Sequence, residues 1–266
     1  MTGTNGKTST TFYLAAMLGT SAAPCAYTTT LGTYLGAERL EVPHSYGGMF
    51  DGMRACLARG GRHVVLEVTS ETLARGFAHK WPCDVGVFTN LSHDHLDAHG
   101  SVEHYFASKA QLFHTLPPGS HAVINGNDEA ASLLVEVLPR GIELVSYGMR
   151  SRAAELPLDV IGHEPSIDWT GTSLEVSLNG QRARLVVPTI GDVFAENALA
   201  ALAAAVASGV EPALAAERLK RCPAIPGRFE CVVETPRVVV DYAHSPDALA
   251  RTLATARQLC TGSLAV

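Results

Sequence analysis

The sequence predicts an α/β protein built on a doubly wound, mostly parallel sheet. Short apolar runs with the length of buried strands occur as HVVLEV at 63–68, VGVFT at 85–89 and AVIN at 122–125. Helical stretches separate and follow them over 46–59, 102–116 and 129–138. This alternation indicates parallel strands covered by helices on both faces. The second observation is a glycine-rich loop that opens directly into a helix at Lys7, as loops of such sheets do.

A small antiparallel sheet is predicted over 156–187, where strand-like segments alternate polar and apolar residues. Its turn is expected at Asn179-Gly180, because an Asn-Gly pair between two alternating runs is the strongest short signal of a hairpin. Two helices follow over 192–208 and 211–221, and Asp192 is placed to cap the first of them.

The last part of the chain predicts the start of a second domain. PAIPGRF at 223–229 has the composition of a linker, and a new strand is predicted at 238–240 with a helix after Ser245. We expect that strand to be an unpaired edge that favours self-association. The chain is therefore divided into a central domain at 1–228, expected to lack its first strand, and the truncated beginning of a Rossmann-like domain at 229–266.

Composition and charge exclude several classes of function. The 266 residues carry a formal net charge of -6 and are 47% hydrophobic, so a large core is expected and a nucleic-acid partner is not. No apolar run reaches the roughly 20 residues that a membrane-spanning helix needs, and no signal peptide is recognised. The six cysteines have no CxxC spacing, which is typical of reduced thiols. We expect a cytoplasmic, monomeric protein that acts on small molecules.

The segment Thr2-Gly3-Thr4-Asn5-Gly6-Lys7-Thr8 predicts a loop that binds the phosphates of ATP. Gly3 and Gly6 allow the backbone N–H groups of the loop, those of Thr4 and Asn5 included, to turn toward phosphate at a helix N-terminus. Lys7 is expected to reach the outer phosphates, and Thr8 to offer its hydroxyl to Mg²⁺. Gly-Lys-Thr alone also fits an ordinary turn before a helix, but the longer string is far more specific.

Three further side chains are predicted near this loop. Glu67 ends the first apolar run, His95 follows the second, and Lys109 lies on the helix predicted over 102–116. Because ligands collect at the carboxyl ends of strands in a doubly wound sheet, Glu67 and His95 are expected to face the same crevice as Lys7. A carboxylate and an imidazole can both bind a divalent cation. Each residue alone has an ordinary interpretation, as a helix cap, a loop histidine or a solvated lysine, but together they favour a metal-assisted site.

Six segments follow one another over nearly the whole chain: TGTNGKT, LEVTSETL, FTNLSHDHLDAHGSVEHYFASKAQLF, ENALAALA, PGRFE and VVDYAHSPDAL. Together they resemble the Mur ligase family, most nearly the members that add the third residue of the peptidoglycan stem peptide. The resemblance implies three domains, of which this chain holds the central ATPase domain and the first strand and helix of the third. It also implies that ATP activates a carboxylate as an acyl phosphate, which an amino acid then attacks to form an amide.

The resemblance implies roles for the residues of the predicted site. Lys7 and Thr8 match the family's phosphate-loop lysine and Mg²⁺-binding threonine, and Glu67 and His95 match its Mg²⁺ ligands. Lys109 matches a metal-site lysine that CO₂ carbamylates, which converts a cation that would repel Mg²⁺ into an acid-like group. Lys7, His95 and Lys109 are the predicted catalytic residues.

Other matches concern the nucleotide. Asn197 and Arg228 match nucleotide-binding positions of the family, and Asp241 and His244 match residues that close over the nucleotide from the third domain.

The predicted acceptor is a UDP-muramoyl-peptide-like molecule, bound through Thr29, Thr30, Ser70 and Arg75. Family members that act on the muramoyl substrate commonly have a histidine and an arginine where this chain has Glu71 and Phe77. Two alternatives therefore stay open. One is a related ligase of another pathway, of the natural-product, folylpolyglutamate or cyanophycin type; the other is a non-catalytic nucleotide-binding fragment.

Overall fold

The computed structural model describes residues 1–92 and 101–266. Its helices are α1 (Lys7–Leu18), α2 (Tyr46–Ala58), α3 (Ser70–Ala74), α4 (Phe77–Lys80), α5 (Val102–His114), α6 (Ala131–Glu136), α7 (Asp192–Ala207), α8 (Pro212–Leu219) and α9 (Pro246–Leu259). Its strands are β1 (Ala26–Thr29), β2 (Gly32–Leu35), β3 (Glu38–Arg39), β4 (Val64–Leu66), β5 (Val85–Phe88), β6 (His121–Asn125), β7 (Glu143–Met149), β8 (Val160–Gly162), β9 (Ser166–Asp168), β10 (Gly171–Leu178), β11 (Gln181–Val187), β12 (Glu230–Glu234) and β13 (Arg237–Val240). The predicted alternation of strands and helices is confirmed in this order.

The first two residues of the chain join two sets of strands. One set runs in the order β3-β2-β1-β4 and the other in the order β11-β10-β8-β7-β6-β5. The α-amino group of Met1 donates to Leu66 O of β4 at 2.6 Å, and Thr2 N donates to Val87 O of β5 at 2.9 Å. Met1 and Thr2 therefore lie between β4 and β5, at the position where a feeding strand was expected to be missing, and they deliver the chain to the glycine-rich loop.

Hydrophobic side chains cover both faces of the sheet, as a doubly wound fold requires. On β6, Val123 belongs to the core shared with α1, α7 and α8, whereas Ala122 and Ile124 belong to the core shared with α3, α5 and α6. On β5, Val87 belongs to the first of these cores and Phe88 to the second. β4 pairs in parallel with β1, and β5, β6, β7 and β8 pair in parallel with one another. Thr2 pairs in parallel with Phe88 of β5, so the carboxyl ends of these strands lie at one edge.

Helix α7 runs through the centre of one core. Its residues from Phe194 to Ala205 are mostly buried, and a helix that is apolar all round is a core helix. The prediction that Asp192 caps this helix is wrong. Gly191 is the N-cap, and Asp192 is the first helical residue, because its carboxylate is directed to Arg251, whose Nη2 donates to Oδ2 at 2.6 Å.

The predicted hairpin is confirmed, but it extends the main sheet. β10 and β11 pair antiparallel through a turn at Asn179 and Gly180, which have φ values of 50° and 74°. β8 pairs in parallel with β7 and antiparallel with β10. The antiparallel strands are therefore the outer part of one larger sheet, because β8 continues the parallel order before the direction reverses.

We expect the substitution Gly180→Ala to lower the free energy of unfolding by about 1 kcal/mol, the cost of a side chain in left-handed backbone. No atom lies within 4 Å of the added Cβ, so strain is the sole source of the loss. The control is Gly47→Ala, in the exposed first turn of α2, which is expected to raise stability by up to about 1 kcal/mol. Urea denaturation measures both changes, and equal effects of the two substitutions would contradict this account.

The C-terminal segment forms a hairpin of its own. β12 pairs antiparallel with β13, so the prediction that 238–240 is unpaired is wrong. The sequence ECVVE at 230–234 supplies the partner, a segment for which no strand is predicted from the sequence. Helix α9 packs Ala256 and Leu259 against the core that contains α7. The domain boundary at 228/229 stays a prediction.

Among the residues that the structure describes, no helix combines the length and the apolar character needed to span a bilayer.

Candidate functional site

The loop between the sheet and α1 requires glycine at two positions. Gly3 has a φ of 148° and Gly6 a φ of 85°, in the region of backbone space that favours glycine. A Cβ atom on Gly3 would lie 1.9 Å from Thr89 Oγ1, and one on Gly6 would lie 2.2 Å from Asn197 Oδ1. Gly6 is also the N-cap of α1, so this tight loop ends at the positive end of a helix. That arrangement binds anions, phosphate in particular.

The segment that follows β5 holds the loop in place. Asn90 O accepts from Thr4 N at 2.8 Å, and the Asn90 side chain bonds both backbone groups of Asn5. Its Oδ1 accepts from Asn5 N at 2.8 Å and its Nδ2 donates to Asn5 O at 3.1 Å. Thr89 Oγ1 also donates to Asn5 O at 2.7 Å. The loop conformation is thus set by the protein itself. The prediction that the N–H groups of Thr4 and Asn5 turn toward phosphate is wrong in this structure, because both donate to Asn90.

Two lysine ammonium groups converge on the carbonyl groups of the loop. Lys7 Nζ donates to Gly3 O at 3.0 Å and to Thr4 O at 2.8 Å. Lys109 Nζ, on α5, donates to Gly3 O at 2.8 Å and lies 4.1 Å from the centre of the Tyr105 ring. Lys109 is only 1% exposed, so its charge is held inside the protein next to the loop. The structure therefore brings the predicted Lys7 and Lys109 together.

Glu67 and Arg228 meet at the hydroxyl group of Thr8. Thr8 Oγ1 donates to Glu67 Oε2 at 2.9 Å and accepts from Arg228 Nη2 at 3.0 Å. Thr30 N donates to the same carboxylate oxygen at 3.3 Å. Burial lowers the pKa of Arg228, and the nearby Glu67 carboxylate opposes this shift, so the guanidinium stays charged. Three cationic side chains therefore surround the loop, with one carboxylate beside the hydroxyl.

A cleft of about 380 Å³ opens from the loop toward the C-terminal segment. Predicted residues line it from both sides: Asn5, Gly6, Thr8, Asn197, Arg228, Asp241 and His244. On the C-terminal side of the cleft, the Asp241 carboxylate accepts hydrogen bonds from Phe229 N at 2.7 Å and from Ala243 N at 2.8 Å. These bonds fix the backbone on that side. The ring of Tyr242 lies 4.8 Å from the Arg228 guanidinium and stabilises its charge.

An ion-pair network joins α9 to α7 at the rim of this cleft. Arg251 Nη2 lies 2.6 Å from Asp192 Oδ2 and 2.5 Å from Glu196 Oε1. Arg152 Nη2 lies 2.7 Å from the same Glu196 oxygen. Burial works to lower the pKa of Arg251, but the two carboxylates outweigh it and raise that pKa. The network therefore fastens the C-terminal segment over the cleft.

The described oxygen donors fit a magnesium ion. The carboxylate of Glu67 and the hydroxyl of Thr8 are hard ligands, and Mg²⁺ typically takes one or two such protein groups together with phosphate oxygens. Within 1–92 and 101–266, no group of three or more His, Cys, Asp or Glu side chains is arranged to hold a metal. His95, the third predicted ligand, lies outside the described residues.

Comparison with protein families decides the classification. The family model described as Mur ligase middle domain matches residues 1–205 of this chain. The chain belongs to the Mur ligase family. The resemblance predicted from the sequence motifs is confirmed, and the predicted α/β fold is that of other Mur ligases of known structure.

Two similar Mur ligases carry the name UDP-N-acetylmuramoyl-L-alanyl-D-glutamate--2,6-diaminopimelate ligase. The protein from Solibacter usitatus is 35% identical over 266 residues, an alignment that covers 97% of this chain and 52% of the relative. The protein from Ralstonia nicotianae is 36% identical, with 95% and 51% covered. A solved structure of a ligase of this name has a TM-score of 0.80 at 26% identity and covers 97% of this chain and 53% of that one. The chain thus spans about half the length of the relatives it matches.

The residues predicted for the acceptor side are not all brought together. Thr30 contacts Glu67 through its backbone, as described, and Ser70 is a buried residue of the first turn of α3. Arg75 lies on the surface, where its Nη2 is 2.6 Å from Glu71 Oε1. Phe77, at the position expected for the family's arginine, is buried and stacks on Tyr46.

Sequence reasoning missed several residues that shape this Mur ligase site. They are Asn90, which clamps the loop; Tyr105, beside Lys109; Asp128, on the cleft wall; and Glu196 and Arg251 of the ion-pair network. Asn90 and Asp128 lie within three residues after the ends of β5 and β6, so the rule that sites gather at carboxyl strand ends could have found them. No sequence signal relates Arg251 to Glu196.

Proposed function

We propose that this chain is the nucleotide-binding part of an ATP-dependent ligase that joins a carboxylate to an amine. The observation that carries the proposal is the convergence of Lys7, Lys109 and Arg228 on a glycine-constrained loop at a helix N-terminus. A site with this charge and shape suits a polyphosphate. The adjacent pair of Thr8 and Glu67 suits the magnesium ion that accompanies ATP.

The proposed reaction has two steps. A carboxylate oxygen of the acceptor attacks the terminal phosphorus of ATP, ADP leaves, and an acyl phosphate forms. The amine then attacks the acyl carbon, phosphate leaves, and the nitrogen loses a proton as the amide forms. Lys7 is positioned to stabilise the charge on the phosphoryl oxygens during transfer, which is the principal requirement of such chemistry.

Thr8, Glu67 and His95 would hold the proposed Mg²⁺, and a carbamylated Lys109 would supply an acidic ligand for a second ion. Mg²⁺ bound there would neutralise charge on the phosphate oxygens. Lys109 is buried beside Gly3 O, so carbamylation would replace a cation by an anion within the loop's immediate surroundings. Asn197, Arg228, Asp241 and His244 are the proposed nucleotide contacts, and their position along one cleft supports this.

The proposed acceptor is a UDP-muramoyl peptide, and the proposed amine is an amino acid of the 2,6-diaminopimelate type. The names of the relatives support this choice. Thr29, Thr30, Ser70 and Arg75 are the proposed acceptor contacts. One observation favours a different acceptor: Phe77 is buried where the family's substrate-binding arginine is expected, so a related ligase of another pathway is the second candidate. A cytoplasmic location and a monomeric state complete the proposal.

The test is binding of ATP to this chain, measured by isothermal titration calorimetry with and without Mg²⁺. We expect binding that Mg²⁺ strengthens. Amide formation from UDP-N-acetylmuramoyl-L-alanyl-D-glutamate and 2,6-diaminopimelate is expected to need the further domains that the family resemblance implies. A folded chain that binds no ATP under either condition contradicts the proposal.

Glu67→Gln is expected to raise the Mg²⁺ concentration needed for tight ATP binding by about 10-fold or more, because even the loss of a residue that only supports a metal ligand lowers metal affinity by about that factor. The amide keeps the shape of the side chain but loses the charge that attracts the ion. Glu217→Gln is the matched control, because Glu217 pairs with Lys220 on the exposed surface of α8 and its C-terminal end. Titrations of Mg²⁺ at fixed ATP measure the effect, and an unchanged midpoint for Glu67→Gln rejects this metal site.

A further inference from the structure

Asp128 joins two parts of the chain that meet at the wall of the cleft. It follows β6, and its Oδ1 accepts from Ala130 N at 3.0 Å. Its Oδ2 accepts from Leu91 N, which lies 37 residues earlier in the chain, at 2.8 Å. The first bond closes a local turn of the kind that aspartate side chains commonly form, and it uses only one of the two carboxylate oxygens. The second bond is not local, and it ties the segment after β5 to the segment after β6.

Leu91 belongs to the segment that holds the phosphate loop. Its neighbour Asn90 bonds both backbone groups of Asn5 and accepts from Thr4 N. On its other side, Ser92 N donates to Thr4 Oγ1 at 3.0 Å. The described hydrogen bonds from 90–92 to the loop are therefore made by the two neighbours of Leu91, and the Leu91 amide is held by Asp128.

We infer that Asp128 is a positioning residue for the phosphate loop: it fixes Leu91, and through Asn90 it fixes the backbone of Thr4 and Asn5, which leads into the helix N-terminus proposed to bind phosphate. This inference rests on the proposed function, because the loop is taken to bind phosphate. Asp128 itself does not need to contact the phosphates.

Stability alone does not account for this carboxylate. Burial raises the pKa of Asp128, and the bonds from Leu91 N and Ala130 N oppose that rise without cancelling it. A carboxyl group whose pKa is raised on folding destabilises the folded state as pH rises from its unfolded pKa through its folded one. A carboxyl group with a perturbed pKa that lines a cleft, as Asp128 does, is characteristic of functional sites.

The test compares Asp128→Ala and Asp128→Asn with a matched control, Asp159→Ala. Asp159 also joins separate segments, since its Oδ2 accepts from Ser146 N at 2.8 Å and from Ser146 Oγ at 2.9 Å, but it lies away from the loop. We expect Asp128→Ala to weaken ATP binding about 10-fold, which is the range for one hydrogen bond to a charged group. Asp128→Asn, which keeps one oxygen acceptor, is expected to lose less. Asp159→Ala is expected to lower thermal stability with ATP affinity unchanged.

A second measurement does not depend on nucleotide. The amide resonances of Asn5, Gly6 and Lys7 in the nucleotide-free protein are expected to shift in both Asp128 variants and to stay in place in Asp159→Ala. Wild-type loop resonances together with wild-type ATP affinity in Asp128→Ala would overturn the inference. If the wild-type chain binds no ATP, the proposed function fails, while the loop resonances still decide whether Asp128 sets the loop conformation.

Discussion

Lys7→Ala is expected to weaken ATP binding by on the order of 100-fold, because it removes the charge-assisted bonds that the ammonium group is expected to make to phosphate oxygens. In the structure, Lys7 Nζ is already directed along the loop, at 3.0 Å from Gly3 O and 2.8 Å from Thr4 O. A bound phosphate would take over these bonds without a change in the path of α1. Calorimetric titration with ATP measures the loss, and thermal unfolding verifies that the variant is folded.

Two further variants define what the Lys7 result means. Lys80→Ala removes an exposed lysine at the end of α4 and is expected to leave ATP affinity unchanged. Lys7→Arg keeps the charge but replaces a compact ammonium by a planar fork, so it is expected to recover only part of the affinity. ATP binding by Lys7→Ala at the wild-type affinity would show that the glycine-rich loop is a structural turn.

The fold could be predicted where local pattern and tertiary role agree. The apolar runs became β4, β5 and β6 because buried parallel strands need apolar residues on both faces, and Val123 and Ile124 do enter opposite cores. The hairpin turn needs positive φ at both of its central positions, and Asn179 and Gly180 are residue types that adopt positive φ readily. In both cases the local sequence pattern alone is enough to indicate the element.

Predictions failed where a distant partner decides the local structure. Asp192 has the residue type of a helix cap, but Arg251 competes for its carboxylate across 59 residues, and Gly191 takes the cap position. The strand at 230–234 was not predicted because it is defined by its pairing with β13, a partner that the sequence alone does not identify.

The candidate site divides in the same way. Thr8 and Glu67 meet because the carboxyl ends of parallel strands lie at one edge of the sheet, a rule that needs no coordinates. The bond from Arg228 to Thr8 spans 220 residues and depends on how the C-terminal segment folds back. Family resemblance named Arg228, but only the structure gives it a partner. The prediction for His95 concerns a residue outside the described part of the chain.

Gly6→Ala is expected to weaken ATP binding by on the order of 100-fold, for a reason that differs from the loss of charge at Lys7. The added Cβ would lie 2.2 Å from Asn197 Oδ1, so either the Asn197 side chain turns away or the loop moves from α7 by roughly 1 Å, and both changes disturb predicted nucleotide contacts. Because Gly6 caps α1, the displacement would move the N–H groups at the start of that helix away from the phosphates.

Gly119→Ala is a control that matches the backbone strain. Gly119 has the same φ as Gly6, 85°, and no atom lies within 4 Å of a Cβ added there. Strain alone should cost about 1–2 kcal/mol of folding free energy in either variant. Gly119→Ala is therefore expected to lower stability and to leave ATP affinity unchanged, so the difference between the two variants isolates the contact with Asn197.

A double variant tests whether that contact is the cause. Removing the Asn197 side chain in Gly6→Ala/Asn197→Ala opens the space that the new Cβ needs, so the stability loss is expected to be smaller than the sum of the two single losses. Residues in direct contact show such coupling at about 0.5–3 kcal/mol, whereas independent sites add within a few tenths. Urea denaturation of the four proteins measures it. Simple additivity, together with a Gly6→Ala variant that binds ATP as well as Gly119→Ala does, would mean that the loop can adapt to a side chain at position 6 and that its close packing on α7 does not determine nucleotide binding.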